Sequence, residues 1–149
     1  MPMAESLFPD MVRRGSLDLR VDGLLGKTWK ERWFVLSNSC LYIFDTHASE
    51  DPRTIVPLTG VGARIVERTD KLKKPYMFEI YNGSGTALIY TEKEPGGKRV
   101  KQGKEHVLFC NAKDENDRKL WLADINQEMV QDDKLLVEEL LSRANQRAG

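Results

Sequence analysis

The sequence has almost none of what most catalytic chemistry needs. Only two cysteines and two histidines occur in 149 residues. None of these four stands in a spacing that holds a metal ion. No glycine-rich loop opens a helical pattern, and no serine, cysteine or threonine nucleophile motif is present. His47 and His106 have no evident catalytic partner. Neither catalysis nor a cofactor is therefore expected. No apolar run reaches the roughly 20 residues of a membrane-spanning helix. The N-terminus, Met1 to Pro9, lacks the basic and apolar segments of a signal peptide. A charge excess is missing too: 23 Lys and Arg balance 23 Asp and Glu, which counts against nucleic-acid binding. Cys40 and Cys110 each lie inside an apolar, strand-like run. Two buried, reduced thiols in a cytoplasmic protein are expected rather than a disulfide.

What is present is the composition of a soluble domain, 40% hydrophobic and 31% charged, in a chain long enough for one sizeable core. The balanced charge is unevenly spread. Residues 13–36 hold six basic and three acidic side chains, residues 93–106 five and two, and residues 111–149 six and nine. If the fold joins the two basic segments, the molecule has a cationic pole that attracts anionic surfaces.

Residues 1–11 read as a polar tail, 12–130 as a domain and 131–149 as a helical extension. Within the domain, short strands follow one another. Gly15 to Val21 alternates apolar and polar residues, and Asp22-Gly23 signals a hairpin turn. Trp29 to Ser37 is a second strand, Ser37-Asn38-Ser39 a turn, and Cys40 to Phe44 a third strand. Further strands are expected at Thr54–Leu58, Gly62–Glu67, Tyr76–Tyr81, Thr86–Thr91 and His106–Cys110. Glu92 to Glu105 reads as a protruding, lysine-rich hairpin. From Asp114 the period changes to that of a helix, with Trp121, Ile125 and Met129 on one stripe. Gln131-Asp132-Asp133 interrupts the stripe, and Lys134 to Arg147 shows a second leucine-rich helical pattern. Seven or eight short strands and one amphipathic helix predict a mainly β fold. Two strongly bent antiparallel sheets are closed at one end by the helix, with Trp121 as the plug.

The most telling stretch is Lys27-Thr28-Trp29-Lys30-Glu31-Arg32-Trp33-Phe34. Alternation places Lys30 and Arg32 on one face of a half-buried strand, with Lys27 just before them. A strand that aims several cations at one spot beside a loop suits recognition of a polyphosphate.

This stretch, with Cys40-Leu41-Tyr42, Phe44, Pro52-Arg53, Pro57-Leu58, Phe78-Glu79, His106-Val107 and the helical Trp121, resembles a pleckstrin-homology (PH) domain. The similarity is greatest to the PH domain of the cytohesin family of Arf exchange factors, and it runs from about Gly15 to Gln127. It does not include the exchange-factor catalytic domain, so the chain is expected to be a fragment or a stand-alone PH protein. The resemblance implies a seven-stranded β-sandwich capped by a helix, with an extra C-terminal helix. It implies a site for phosphoinositide lipids and inositol polyphosphates, with 3-phosphorylated lipids such as phosphatidylinositol 3,4,5-trisphosphate favoured. Carried over by position, the headgroup ligands are Arg20, Lys27, Lys30, Arg32, Arg53, Lys93 and His106. The chain departs from the family pattern at Glu31, where a basic residue is usual, at Ile43, where a tyrosine is, and at Glu105, where an asparagine is. The protein is then expected in the cytoplasm, recruited peripherally to the plasma membrane or other phosphoinositide-containing membranes.

Leu24-Leu25 sits at the expected loop tip, where it either dips into a bilayer or folds back on the core. The leucine face of residues 135–144 either packs on the domain or meets a partner helix. A second function fits the same scaffold: binding a peptide or small GTPase. An unpaired basic pocket favours the headgroup reading, and a pocket closed by internal ion pairs favours the protein-binding one.

Overall fold

A computed structural model of the chain describes residues 11–69, 71–94 and 100–148. The side chains of 128–139, 143 and 145–148 lie outside that description, as do the expected N-terminal tail and the tip of the lysine-rich excursion. Among the described residues nine strands precede one helix: β1 Arg13–Gly23, β2 Gly26–Ser37, β3 Cys40–Phe44, β4 Thr54–Pro57, β5 Val61–Ile65, β6 Met77–Asn82, β7 Leu88–Lys93, β8 Val100–Glu105, β9 Val107–Asn111 and α1 Glu115–Ala148. They form one open antiparallel sheet in the order β5-β6-β9-β1-β2-β3-β4-β7-β8.

The mainly β fold with a C-terminal helix is as the sequence predicts, but three details differ, the first being that the strands join in one hydrogen-bonded sheet rather than two. The excursion after β7 returns as β8, so nine strands are formed. Val-Lys-Gln-Gly-Lys-Glu has little apolar alternation; its pairing with β7 rests on backbone bonds that no hydropathy pattern reveals. The helix also runs unbroken through Gln131-Asp132-Asp133, giving one helix of 34 residues rather than two. Glutamine and aspartate interrupt the apolar stripe without stopping the backbone: each costs a few tenths of a kcal/mol in a helix, against about 1 for glycine and 3 for proline.

The central element is the β1–β2 hairpin, paired along all of β1 from Arg13↔Leu36 to Gly23↔Gly26. Its loop is only Leu24-Leu25. Gly26 takes φ +110 to leave that tight turn, a backbone state that disfavours any residue with a Cβ. β2 joins β3 through Asn38 and Ser39, both at positive φ, the backbone of a type I′ turn whose twist matches that of the strands.

The core is drawn from alternate residues across the sheet, among them Leu17, Leu19, Phe34, Leu36, Ile43, Phe78 and Ile80. Trp121 is fully buried among them and meets Phe34 edge-on, with ring centroids 6.1 Å apart. α1 starts at an Asp114 cap, whose carboxylate accepts from the Asp117 N–H at 2.7 Å. Asn126 then closes the exposed edge of β5. Its side chain accepts from the Ala63 N–H and donates to the Ala63 carbonyl, both at 2.9 Å. An amide thus stands in for the missing neighbouring strand. Cys110 is buried and Cys40 half-buried, and neither is in a disulfide. Burial pushes the Cys110 thiol well above the ordinary range.

Two substitutions test this account by chemical denaturation. Trp121→Ala should remove about 3–5 kcal/mol through the cavity it leaves. Asn126→Ala should remove about 1–3 kcal/mol by stranding two backbone groups of β5.

Candidate functional site

The β1–β2 loop, the β3–β4 connection and the β8–β9 junction meet at one end of the sheet. Between them opens a pocket of about 500 Å³. β1 contributes Arg20 and Asp22, β2 Lys27 and Arg32, and the β3–β4 connection Arg53. Glu92 and Tyr90 come from β7, Glu105 from β8 and His106 from the bend before β9. Leu19, Ile43, Val107 and Leu108 provide apolar wall.

Five of the seven cationic positions expected at a headgroup site therefore come together: Arg20, Lys27, Arg32, Arg53 and His106. Lys30 does not line the pocket. It is exposed and faces Leu19 across the ladder, two residues nearer the hairpin tip than half-buried Arg32. Lys93 stands just outside, its N–H donating to the Arg53 carbonyl at 2.9 Å and its ammonium 3.8 Å from Asp51. Leu24 and Leu25 project fully into solvent, at 105% and 103% exposure. Because Asp22 and Lys27 flank this tip and also line the pocket, the apolar pair stands at its mouth.

The pocket is not purely basic. The Lys27 ammonium lies 2.9 Å from Asp22 and 3.2 Å from Glu105, and the Asp22 bond, ahead of Glu105, raises its pKa. Arg53 grips Asp45 with two donors, the Nη2 bond being 3.0 Å. That grip holds the Asp45 carboxyl below the usual carboxylate range and raises the Arg53 guanidinium. Arg32 Nε approaches the same carboxylate only to 3.7 Å, too far for a hydrogen bond. This Nε is buried and has no hydrogen-bond partner among the described residues. The Arg32 Nη1 donates at 3.3 Å to the Glu31 carbonyl. The site thus holds a half-buried arginine whose buried Nε is unused, ringed by pairs that reach into solvent. Exposed pairs of that kind contribute only about 0–1 kcal/mol each, so a multiply charged anion competes with them readily.

Residues 11–130 match the PH domain family. The chain is a PH domain. It is 37% identical over 100 residues to Cytohesin-4 of Homo sapiens, an overlap covering 66% of this chain and 25% of that protein. It is 35% identical over 109 residues to GTP exchange factor for ARFs 1 of Caenorhabditis elegans, covering 73% of this chain and 27% of that protein. The PH domain thus spans about a quarter of the length of these curated relatives. The C-terminal PH domain of pleckstrin, solved in complex with D-myo-Ins(1,2,3,5,6)P5, shares the fold at 22% identity and a TM-score of 0.55, with 80% of this chain and 95% of that one covered.

Sequence reasoning missed the floor of the pocket. Tyr90 lies flat across Gly103, its partner on β8. A Cβ at position 103 would stand 2.1 Å from the Tyr90 ring. Only glycine lets the ring settle there, 8% exposed, and the desolvated phenol is pushed up to about 12, chiefly by burial. An isolated glycine in a lysine-rich strand was the available signal. Gly103→Ala should displace the ring and cost about 1–3 kcal/mol by overpacking. Thermal unfolding, with near-ultraviolet circular dichroism to report the tyrosine environment, checks this.

Proposed function

We propose that this PH domain is a non-catalytic module that binds the inositol phosphate headgroup of phosphoinositides and thereby brings its protein to a membrane surface. The observation that carries the reading is Arg32: a half-buried arginine whose buried Nε has no partner among the described residues, in a pocket that also gathers Arg20, Lys27, Arg53 and His106. Arginine meets phosphate through a planar two-donor fork, and lysine adds a movable point charge. Each charge-assisted bond of this kind contributes roughly 1.5–3 kcal/mol, so three or four of them account for micromolar binding. The preferred class is the 3-phosphorylated lipids, phosphatidylinositol 3,4,5-trisphosphate among them, on the strength of the cytohesin likeness. The pleckstrin PH domain bound to an inositol pentakisphosphate supports the ligand class.

Leu24 and Leu25 complete the picture. With both side chains exposed at the pocket mouth, a headgroup in the pocket brings them to the level of the acyl chains. Their burial there adds an apolar contribution to the electrostatic one.

One observation favours a second reading, a domain that binds a protein partner. Asp22, Glu105, Asp45 and Asp51 pair with Lys27, Arg53 and Lys93 inside the molecule. A site already matched by its own carboxylates has less need of an anion. The headgroup reading remains the better supported because these pairs are largely exposed and leave Arg32 Nε unbonded.

Liposome co-sedimentation across a phosphoinositide panel separates the two. Saturable binding to one or two lipids, reduced at least tenfold by Arg32→Ala, is the expected result. Weak binding that follows total lipid charge and survives the substitution moves the function to a protein partner. Leu24→Ser with Leu25→Ser should weaken liposome binding and leave affinity for a soluble inositol phosphate unchanged. Equal loss in both assays would rule out insertion of the tip.

A further inference from the structure

Asp45 follows the last residue of β3 and stands beside the pocket, outside its lining. Its carboxylate serves two guanidiniums that do line the pocket, and serves them unequally. Arg53 commits Nε and Nη2 to it in a two-donor grip. Those are the donors of one planar edge, the edge with which arginine holds a phosphate in bidentate fashion. Arg32 Nε is drawn to within 3.7 Å of the same carboxylate and is left without a bond. A residue whose purpose was to orient both arginines would be expected to satisfy both. Asp45 instead occupies one fork and offsets the charge of the other.

Resting on the headgroup reading, we propose that Asp45 is a built-in competitor for the pocket, a carboxylate that any incoming phosphate must displace from Arg53, and that it thereby holds down the affinity for every phosphorylated ligand. The displacement is sterically simple, since the Asp45 side chain is 47% exposed and can turn into water. Its cost is nearly the same for every ligand, because the same pair is broken each time. A uniform cost of this kind lowers the affinity for every phosphorylated headgroup by a similar factor and leaves the ratio between two headgroups unchanged. The effect of Asp45 on the cationic positions is invisible to any reading that counts basic residues alone.

The test is calorimetric titration of the whole chain with two soluble probes, inositol 1,3,4,5-tetrakisphosphate and inositol 1,3-bisphosphate. Wild type is compared with Asp45→Asn and Asp45→Glu. Asp45→Asn keeps the shape and removes the charge; it should tighten tetrakisphosphate binding about two- to fivefold. It should tighten bisphosphate binding by a similar factor, so that the ratio between the two ligands is kept. Asp45→Glu keeps the charge and should remain within about twofold of wild type. If Asp45→Asn weakens binding or leaves both affinities unchanged while wild type binds, Asp45 is an orienting residue or a bystander, and the competitor role is overturned with the headgroup reading intact. Absence of binding to either probe by wild type and both variants overturns the headgroup reading itself. Asp45→Ser serves as a second neutral variant if Asp45→Asn fails to show a cooperative melt, and the same outcomes apply to it.

Discussion

The arginine donor and the exposed leucine tip on which the proposed function rests both hang on the ladder between β1 and β2. All eleven residues of β1 pair with β2 in one unbroken register, and a slip of a single residue would turn each side chain to the opposite face. That register sets Arg32 across from Leu17, so the guanidinium lies low against the apolar wall and loses most of its water. It sets Asp22 across from Lys27, four residues around the hairpin tip, so the pair marks the mouth of the pocket. It also leaves room for only Leu24 and Leu25 beyond the last pair, and a two-residue loop has no slack with which to fold its side chains back. The exposure of those leucines and the burial of Arg32 are thus two consequences of one constraint.

The electrostatics of the pocket follow from how tightly the strands converge there. Four cationic side chains within one pocket repel one another, and unpaired they would destabilise the folded state. Asp22, Asp45, Glu92 and Glu105 relieve that repulsion. They do so mostly from exposed positions, where each pair contributes little and is readily exchanged for a stronger anion. Arg32 is the exception, being too deep for an exposed carboxylate to reach properly. The depth of one arginine donor and the shallowness of the surrounding counter-ions support the proposed anion-binding role of the site over a closed ion-pair cluster.

Much of the fold was legible in the sequence because its causes are local. The alternation of Leu17, Leu19 and Val21, the Asn38-Ser39 turn and the stripe of Trp121 and Ile125 each declare their element without help from the rest of the chain. β8 was not legible: Val100 to Glu105 is held by its hydrogen bonds to β7, and those carry no side-chain signature. The unbroken helix through Gln131–Asp133 was missed for the converse reason, that a gap in an apolar stripe is not a gap in the backbone. In the site, Arg20, Lys27, Arg32, Arg53 and His106 were each readable from the PH-like pattern. Asp45 and Tyr90 were not, since an aspartate after a strand and a tyrosine within one have no meaning until their partners, 8 and 13 residues away in sequence at Arg53 and Gly103, are placed beside them.

The sequence by itself determined which residues alternate, where the chain turns and which side chains carry charge, because those depend on spacing along the backbone. The tertiary structure alone decided which charges are neutralised, which guanidinium is left with an unused donor and which glycine makes room for a ring. Those properties are distances between segments far apart in the chain, and Coulomb energy, desolvation and packing all depend on distance in space rather than position in sequence.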